Sequence, residues 1–320
     1  EESVAFAIKG GVDLNCGSLY NLIPSAIEKG FLSELDLNKS LKRLLMTRMK
    51  LGILKKVDDN PYDNLNEEVI NCNKHIEIAR NVAAKSIVLL KNEKNILPLS
   101  KDVNKLFITG PNAANVNTLL GNYNGLSSNI VTPLEGIISK VSNGTIIRFN
   151  KGVDLIHNNN TRMESSASQA GSSDVTIAVM GISALIEGEE GDAASSDANG
   201  DRNKISLPES QIKYLKSLRK SAGNKPIVLV VKSGSAIDLS EIFGYVDAII
   251  YAWYLGEQGG NAIADVIFGD VNPSGKLPIT IPKSLSHLPE YDDYSMNNRT
   301  YRFIRHEPMF PFGFGLSYSN

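Results

Sequence analysis

The strongest constraint on this chain is a series of short, unbroken apolar runs rich in β-branched residues, most of them followed by helical periodicity. The runs are Ser86-Ile87-Val88-Leu89-Leu90, Lys105-Leu106-Phe107-Ile108-Thr109, Thr145-Ile146-Ile147-Arg148-Phe149, Val175-Thr176-Ile177-Ala178-Val179-Met180, Ile227-Val228-Leu229-Val230-Val231 and Ala248-Ile249-Ile250-Tyr251-Ala252. A strand with one wet face alternates apolar with polar residues, whereas an unbroken run has no wet face. Strands of this kind, buried on both faces, build a mostly parallel sheet with helices on each side, the signature of an α/β protein. Helices are expected over residues 67–84, 133–140, 209–221 and 260–268, with Pro208 opening the third.

The front of the chain follows a different pattern. Gly11-Val12-Asp13-Leu14 reads as a short strand closed by Cys16-Gly17, after the end of a helix. Over residues 19–52, Ile23, Ile27, Phe31, Leu37, Leu41, Leu44, Leu45 and Leu51 recur at steps of helical spacing. Ser33-Glu34-Leu35-Asp36 reads as a helix start, and Gly52 after Arg48 and Lys50 as a stop. One strand and a few helices give no sheet to pack on, so this segment reads as a piece of something larger. Residues 55–66 are polar, aperiodic and contain Pro61, as a linker does. From Asp270 onward the chain is rich in Pro, Gly and Tyr with little periodicity, and it is expected to wrap over the surface.

Composition narrows the function classes. At 320 residues with 42% hydrophobic and 21% charged, the chain can bury one large core or two modest ones. A formal net charge of -2 gives no reason to expect a nucleic-acid partner. No apolar run approaches the roughly 18–20 residues that span a membrane, so no membrane partner is expected. The start, Glu1-Glu2-Ser3-Val4, has neither Met nor a signal pattern, as if the chain began partway through a longer protein. Cys16 and Cys72 make no metal spacing, and are expected as buried thiols with a disulfide as the alternative. The histidines (His75, His157, His287, His306) are scattered without HExxH, which argues against a metal hydrolase; no cofactor or metal is expected.

The chemistry-bearing feature is Glu187-Gly188-Glu189-Glu190, just downstream of the run ending at Met180. Carboxylates at the carboxyl end of a buried strand sit on the edge where open α/β sheets bind ligands. Crowded like charges raise one another's pKa, and a protonated carboxyl is what a general acid needs. The plain alternative is a solvated acidic loop. Asp201-Arg202 closes that loop, and Arg202 is open to two roles, clamping the loop's own carboxylates or meeting a substrate. Gly256-Glu257-Gln258-Gly259-Gly260-Asn261 lies where a strand turns into a helix, a position able to take a phosphate. It lacks the spacing of a dinucleotide fingerprint and any GK[ST], so a tight turn explains its glycines as well as a nucleotide site does. Ser217-Leu218-Arg219-Lys220 matches SxxK but falls inside a predicted helix without companion motifs. The tail aromatics, from Tyr291 to Tyr318, suit either sugar stacking or pinning an irregular segment to a core.

As a set, the motifs resemble glycoside hydrolase family 3. The resemblance rests on Ser86 to Asn92 with Leu97-Pro98-Leu99, on Gly110-Pro111-Asn112-Ala113, and on Gly200-Asp201-Arg202 with Leu207-Pro208. It continues through Ala252-Trp253-Tyr254 with Gly256 to Gly260, Phe268 to Pro278, Arg299-Thr300-Tyr301-Arg302-Phe303, and Pro311 to Tyr318. These cover nearly everything from about residue 75 onward, in the family's order. The front segment, with Gly10-Gly11-Val12-Asp13-Leu14, is similar to the last strand and closing helices of the family's (β/α)8 barrel.

The resemblance implies an organisation and a chemistry. Residues 1–54 would be the barrel's end, 55–74 a linker and 75–320 an α/β sandwich carrying the acid/base loop. The family acts as exo-acting, retaining β-glycosidases on oligosaccharides or glycosides; β-xylosidases look most similar, β-glucosidases next. Its pattern makes Glu189 the acid/base residue, with Glu190 as runner-up and Glu187 as a substrate contact or a tuner of its neighbour. The nucleophilic Asp belongs to a Ser-Asp-Trp type motif that this chain lacks, its one tryptophan being Trp253. The missing barrel is therefore the expected partner, and the chain alone is expected to be inactive. A secreted or periplasmic location is a family expectation. A non-catalytic carbohydrate-binding or scaffold module, and a nucleotide-binding domain, stand as alternatives.

Overall fold

The computed structural model describes residues 1–54, 62–121, 125–156, 162–187 and 202–319, and divides into two compact units, Glu1–Val69 and Ile70–Asn320. In the first, helices α1 (Glu2–Lys9), α2 (Ile23–Glu28) and α3 (Glu34–Lys50) surround a small cluster of Val4, Ala5, Ile8, Ala26 and Leu32. The start of α3 is the expected one: Ser33 Oγ accepts from the Asp36 amide at 3.2 Å while Asp36 faces the Ser33 amide, a reciprocal capping box. The expected strand at Gly11-Val12-Asp13-Leu14 is not present. A strand exists only through ladder hydrogen bonds to a neighbour, and no described residue pairs with this segment. Asp13 is instead pinned by Arg43 (2.6 and 2.7 Å) and Ser40 of α3. Along α3 the expected stripe is half-buried at Leu37, Leu44 and Leu45, while Leu41 and the further apolar residues Leu35, Met46 and Met49 are exposed.

The second unit is built on six strands: β1 (Val88–Asn92), β2 (Lys105–Thr109), β3 (Ile146–Asn150), β4 (Val175–Gly181), β5 (Ile227–Lys232) and β6 (Ala248–Tyr251). Their order is β1-β6-β5-β4-β2-β3; every neighbouring pair is parallel except β1 and β6, which run antiparallel. Helices α4 (Asn73–Ser86), α5 (Asn117–Leu120), α6 (Pro133–Ile138), α7 (Met163–Gly171), α8 (Ala184–Glu187), α9 (Glu209–Ala222), α10 (Gly259–Ile267) and α11 (Thr300–Phe303) complete it. The central strands show why the runs are unbroken. Ile227, Leu229 and Val231 of β5 pack with Ile212, Leu215 and Leu218 of α9, while Val228 and Val230 face Ala262 and Ile263 of α10. Each fully buried aliphatic side chain contributes roughly 1.5–3 kcal/mol, so burial on both faces stabilises the layers.

Three details depart from expectation. Strand β3 is an edge strand whose Ile146 and Phe149 are exposed, not buried on both faces, because only β2 flanks it. The helix expected from residue 67 starts at Asn73: Asn71 holds a left-handed φ of 53°, which a helix cannot pass through. Helix α7 had no expected counterpart. The tail wraps as expected and closes the other edge, with the Leu316 amide donating to the Leu89 carbonyl of β1 at 2.8 Å. Its aromatics divide: Phe310 and Phe314 join the α9-side core and Tyr318 packs on the α10 side, whereas Tyr301 and Phe312, stacked on each other at 4.4 Å, and Phe303 are about half exposed. Tyr291 and Tyr294 alone of that set stay strongly exposed.

Candidate functional site

The strand order places a switch point between β2 and β4, since β3 lies outward from β2 on one side and β5 and β6 follow β4 on the other. Connections diverge there and leave a crevice at the carboxyl edge, the ligand side of such sheets. Four segments reach that edge: Gly110 to Ala113 after β2, Ile182 to Glu187 after β4, Ser233 to Ser235 after β5, and Ala252 to Tyr254 after β6. The acidic segment leaves from the second of these. Glu189 and Glu190 lie outside the described residues, whereas Glu187, the last residue of α8, is within them.

Glu187 is engaged by the turn after β5. Its Oε2 accepts from the Gly234 amide at 3.2 Å, its Oε1 from Ser235 Oγ, and Ser233 Oγ stands 3.3 Å from Oε1. Gly234 is needed for space: a β-carbon there would lie 2.9 Å from Oε2 and 3.0 Å from the Tyr254 ring. Burial, and then the neighbouring Glu187 carboxylate, push the Tyr254 phenol above its ordinary pKa. Arg202, on the far flank of the acidic segment, donates from Nη2 to Ser235 Oγ at 2.7 Å and to the Ala236 carbonyl at 3.1 Å. Of the roles open to Arg202, these contacts fit the clamp, acting on Glu187 through Ser235.

Sequence reasoning missed Ser233-Gly234-Ser235. Their one signal was position, immediately after an unbroken run and therefore at the carboxyl edge. It also missed Lys232, the last residue of β5, which is fully buried with no hydrogen-bond partner among the described residues; burial brings its pKa down to about 7. A cavity of about 460 Å³ beside the flanks of the acidic segment is lined by Ile182, Ile186, Arg202, Lys204, Leu207 and Glu241, among others. A larger groove of about 730 Å³ lies against the outer side of α4 and is lined by Trp253, Tyr254, Leu255, Ile78 and Val82, among others. It is more apolar, and Tyr254 is the lining residue it shares with the surroundings of Glu187.

The glycine turn after β6 is explained by packing. A β-carbon on Gly260 would lie 2.0 Å from the Thr132 carbonyl, and one on Gly136 would lie 2.2 Å from the Gly260 carbonyl. Helices α6 and α10 touch backbone to backbone there, which only glycine permits. Cys16 and Cys72 are free thiols; contrary to expectation neither is fully buried, as Cys72 stands at the entry to α4 and Cys16 in an exposed loop. Among the described residues no group of His, Cys, Asp and Glu has the arrangement to hold a metal ion. No described helix is long and apolar enough to cross a membrane.

The family model described as the glycosyl hydrolase family 3 C-terminal domain matches residues 87–318. This chain belongs to glycoside hydrolase family 3. It is 36% identical to a probable β-D-xylosidase 7 of Arabidopsis thaliana, over 100% of the chain and 41% of that protein. It is 31% identical to a periplasmic β-glucosidase of Salmonella typhimurium, over 100% of the chain and 45% of that protein. Among solved structures, a family 3 exo-β-xylosidase in complex with a xylobiose aziridine activity-based probe superposes with a TM-score of 0.85 at 27% identity, covering 99% of this chain and 41% of that one. The chain thus spans less than half the length of these relatives. The α/β sandwich expected from the motifs is the fold observed, and the resemblance is borne out.

Proposed function

We propose that this chain is the C-terminal portion of an exo-acting, retaining β-glycosidase, with β-xylosides as preferred substrates and β-glucosides next. The observation that carries the reading is the anchoring of Glu187 at the carboxyl edge: it starts the acidic segment on the ligand side of the sheet, two residues ahead of Glu189. Glu189 is the acid/base residue in this reading, with Glu190 the alternative by one step of register. A retaining mechanism needs two carboxyl groups about 5–5.5 Å apart. Glu189 gives its proton to the glycosidic oxygen as that bond breaks and a nucleophilic carboxylate bonds the anomeric carbon. It then takes a proton from the water that releases the sugar.

The nucleophile belongs to a barrel outside this chain. Residues 1–54 are that barrel's end and 55–74 its linker in this proposal, which the exposed apolar residues of α3 support. The relatives' greater length supports it too. A secreted or periplasmic location goes with the same reading, one relative being named periplasmic. The test joins this chain to its barrel and substitutes Glu189→Gln. Hydrolysis of an aryl β-xyloside should fall by about 10²–10⁴-fold, and the 320-residue chain alone should show none. Turnover by the isolated chain, or full activity of the variant, would sink the proposal.

A further inference from the structure

Both flanks of the acidic segment are tied to one hydroxyl. Glu187, just before residues 188–201, accepts the proton of Ser235 Oγ, and Arg202, just after them, donates to the same oxygen at 2.7 Å. The hydroxyl's one proton and an acceptor lone pair are both used, so Ser235 bridges an anion and a cation. Ser235 is itself held: its carbonyl accepts from the Tyr251 hydroxyl and from Ser233 Oγ at 2.8 Å, and its amide donates to Ser233 Oγ at 3.2 Å. Tyr251 is a buried residue of β6, so the bridge is fixed to the sheet's core. The two residues that flank 188–201, Glu187 and Arg202, therefore meet at one point beyond β5. The entropy cost of closing a segment grows slowly with its length, so contacts at the base are an economical way of fixing where it starts and ends.

We propose that Ser235, with Glu187 and Arg202, is a clasp that positions the acid/base glutamate against the glycosidic oxygen. Glu187 is on this view a positioning residue, not a ligand of the sugar. The proposal rests on the reading of Glu189 as acid/base, and the test separates the two. In the enzyme with its barrel, Ser235→Ala lowers kcat/KM for a phenyl β-glycoside, whose leaving group needs a proton, about 10–100-fold. The dinitrophenyl glycoside, whose leaving group needs none, stays within about twofold. Ser235→Thr keeps the hydroxyl and restores the phenyl substrate. Independently of catalysis, a glutamate-specific protease cuts at Glu189 and Glu190 faster in Ser235→Ala than in the parent chain.

Equal losses on both substrates, or unchanged protease cutting in Ser235→Ala, would overturn the clasp. If Glu189→Gln shows no split between the two leaving groups, the acid/base assignment falls instead. The protease rates then decide on their own whether the flanks are clasped.

Discussion

Two polar regions of the sandwich are built on opposite terms. On the α10 side, Asp265 is nearly buried and its carboxylate is saturated: Arg80 of α4 binds it through two nitrogens at 2.6 Å each, and Lys140 adds a third contact at 2.6 Å. Lys140 also reaches Asp270 at 2.6 Å, and Lys101 meets Asp270 at 2.5 Å. Every charge in that network has an opposite neighbour. At the carboxyl edge the reverse holds. Asn112 Oδ1, Ser183 Oγ, Lys232 Nζ, Tyr254 Oη and Arg202 Nη1 are buried atoms without a hydrogen-bond partner among the described residues. Native interiors leave few polar atoms unsatisfied, and those left so gather where function tolerates the cost. One region holds helices together; on the other, the edge that leads into the acidic segment, these atoms have no partner among the described residues.

The sharpest way to break this comparison is to unpair the saturated side. Asp265→Ala leaves Arg80 and Lys140 facing each other without their shared anion, at a cost of about 3–5 kcal/mol. Urea denaturation reads the loss as a lower midpoint. A change under about 1 kcal/mol would mean the network is a solvent-screened surface feature. Burial opposes ionisation of Asp265, but Arg80 and Lys140 outweigh it and hold its carboxyl below the usual range. The sign follows: its contribution is complete above the unfolded carboxylate pKa of about 3.9 and is lost as pH falls through the lower folded value. Asp265→Asn should therefore remove part of the acid limb of the stability curve.

Lys232 makes the converse prediction. With a folded pKa of about 7 against an unfolded value near 10.4, the unfolded chain binds a proton that the folded chain does not between those limits. Stability from this group thus rises with pH above 7, by up to about 1.4 kcal/mol per unit. Lys232→Met removes an unpaired buried amine and should stabilise the chain by about 1–3 kcal/mol at pH 7. The gap between variant and parent should narrow toward pH 9. A destabilised variant would show that the amine is satisfied in solution by a partner or by water.

How far the sequence spoke for these regions depends on what fixed each element. Strand β2 occupies the residues expected, because its apolar run is bounded on both sides by polar residues. The parallel core strands were legible for the same reason, while the antiparallel setting of β1 depends on tertiary pairing that no local pattern carries. Helix α7 escaped because Met163, Ala167 and Ala170 carry its buried face among serines, leaving small residues where a stripe of large ones is sought. The acidic turn was legible as chemistry. Its anchor was not: Ser233 and Ser235 are 46 and 48 positions from Glu187, and nothing local announces a contact at that range.

The smallest effect discriminates between the regions most finely, because it compares one atom in two settings. Tyr214 of α9 is fully buried, and Tyr254 is half-buried with its hydroxyl oxygen shielded from solvent. The Tyr214 hydroxyl meets Thr109 Oγ1 at 2.7 Å and Ser166 Oγ at 2.6 Å, joining β2, α7 and α9. The Tyr254 hydroxyl is buried beside the Glu187 carboxylate and the Gly234 backbone, with no well-formed hydrogen bond among the described residues. Tyr214→Phe strands the Ser166 hydroxyl, while Thr109 Oγ1 keeps its bond to the Asn150 carbonyl, and should cost about 1–2 kcal/mol. Tyr254→Phe removes an unsatisfied donor, so its stability should be unchanged or higher by up to about 1 kcal/mol. Thermal unfolding of the two variants side by side reads the difference. If Tyr254→Phe were the more damaging, its hydroxyl would have a partner in solution, and the carboxyl edge would count as structure on the same terms as the helix network.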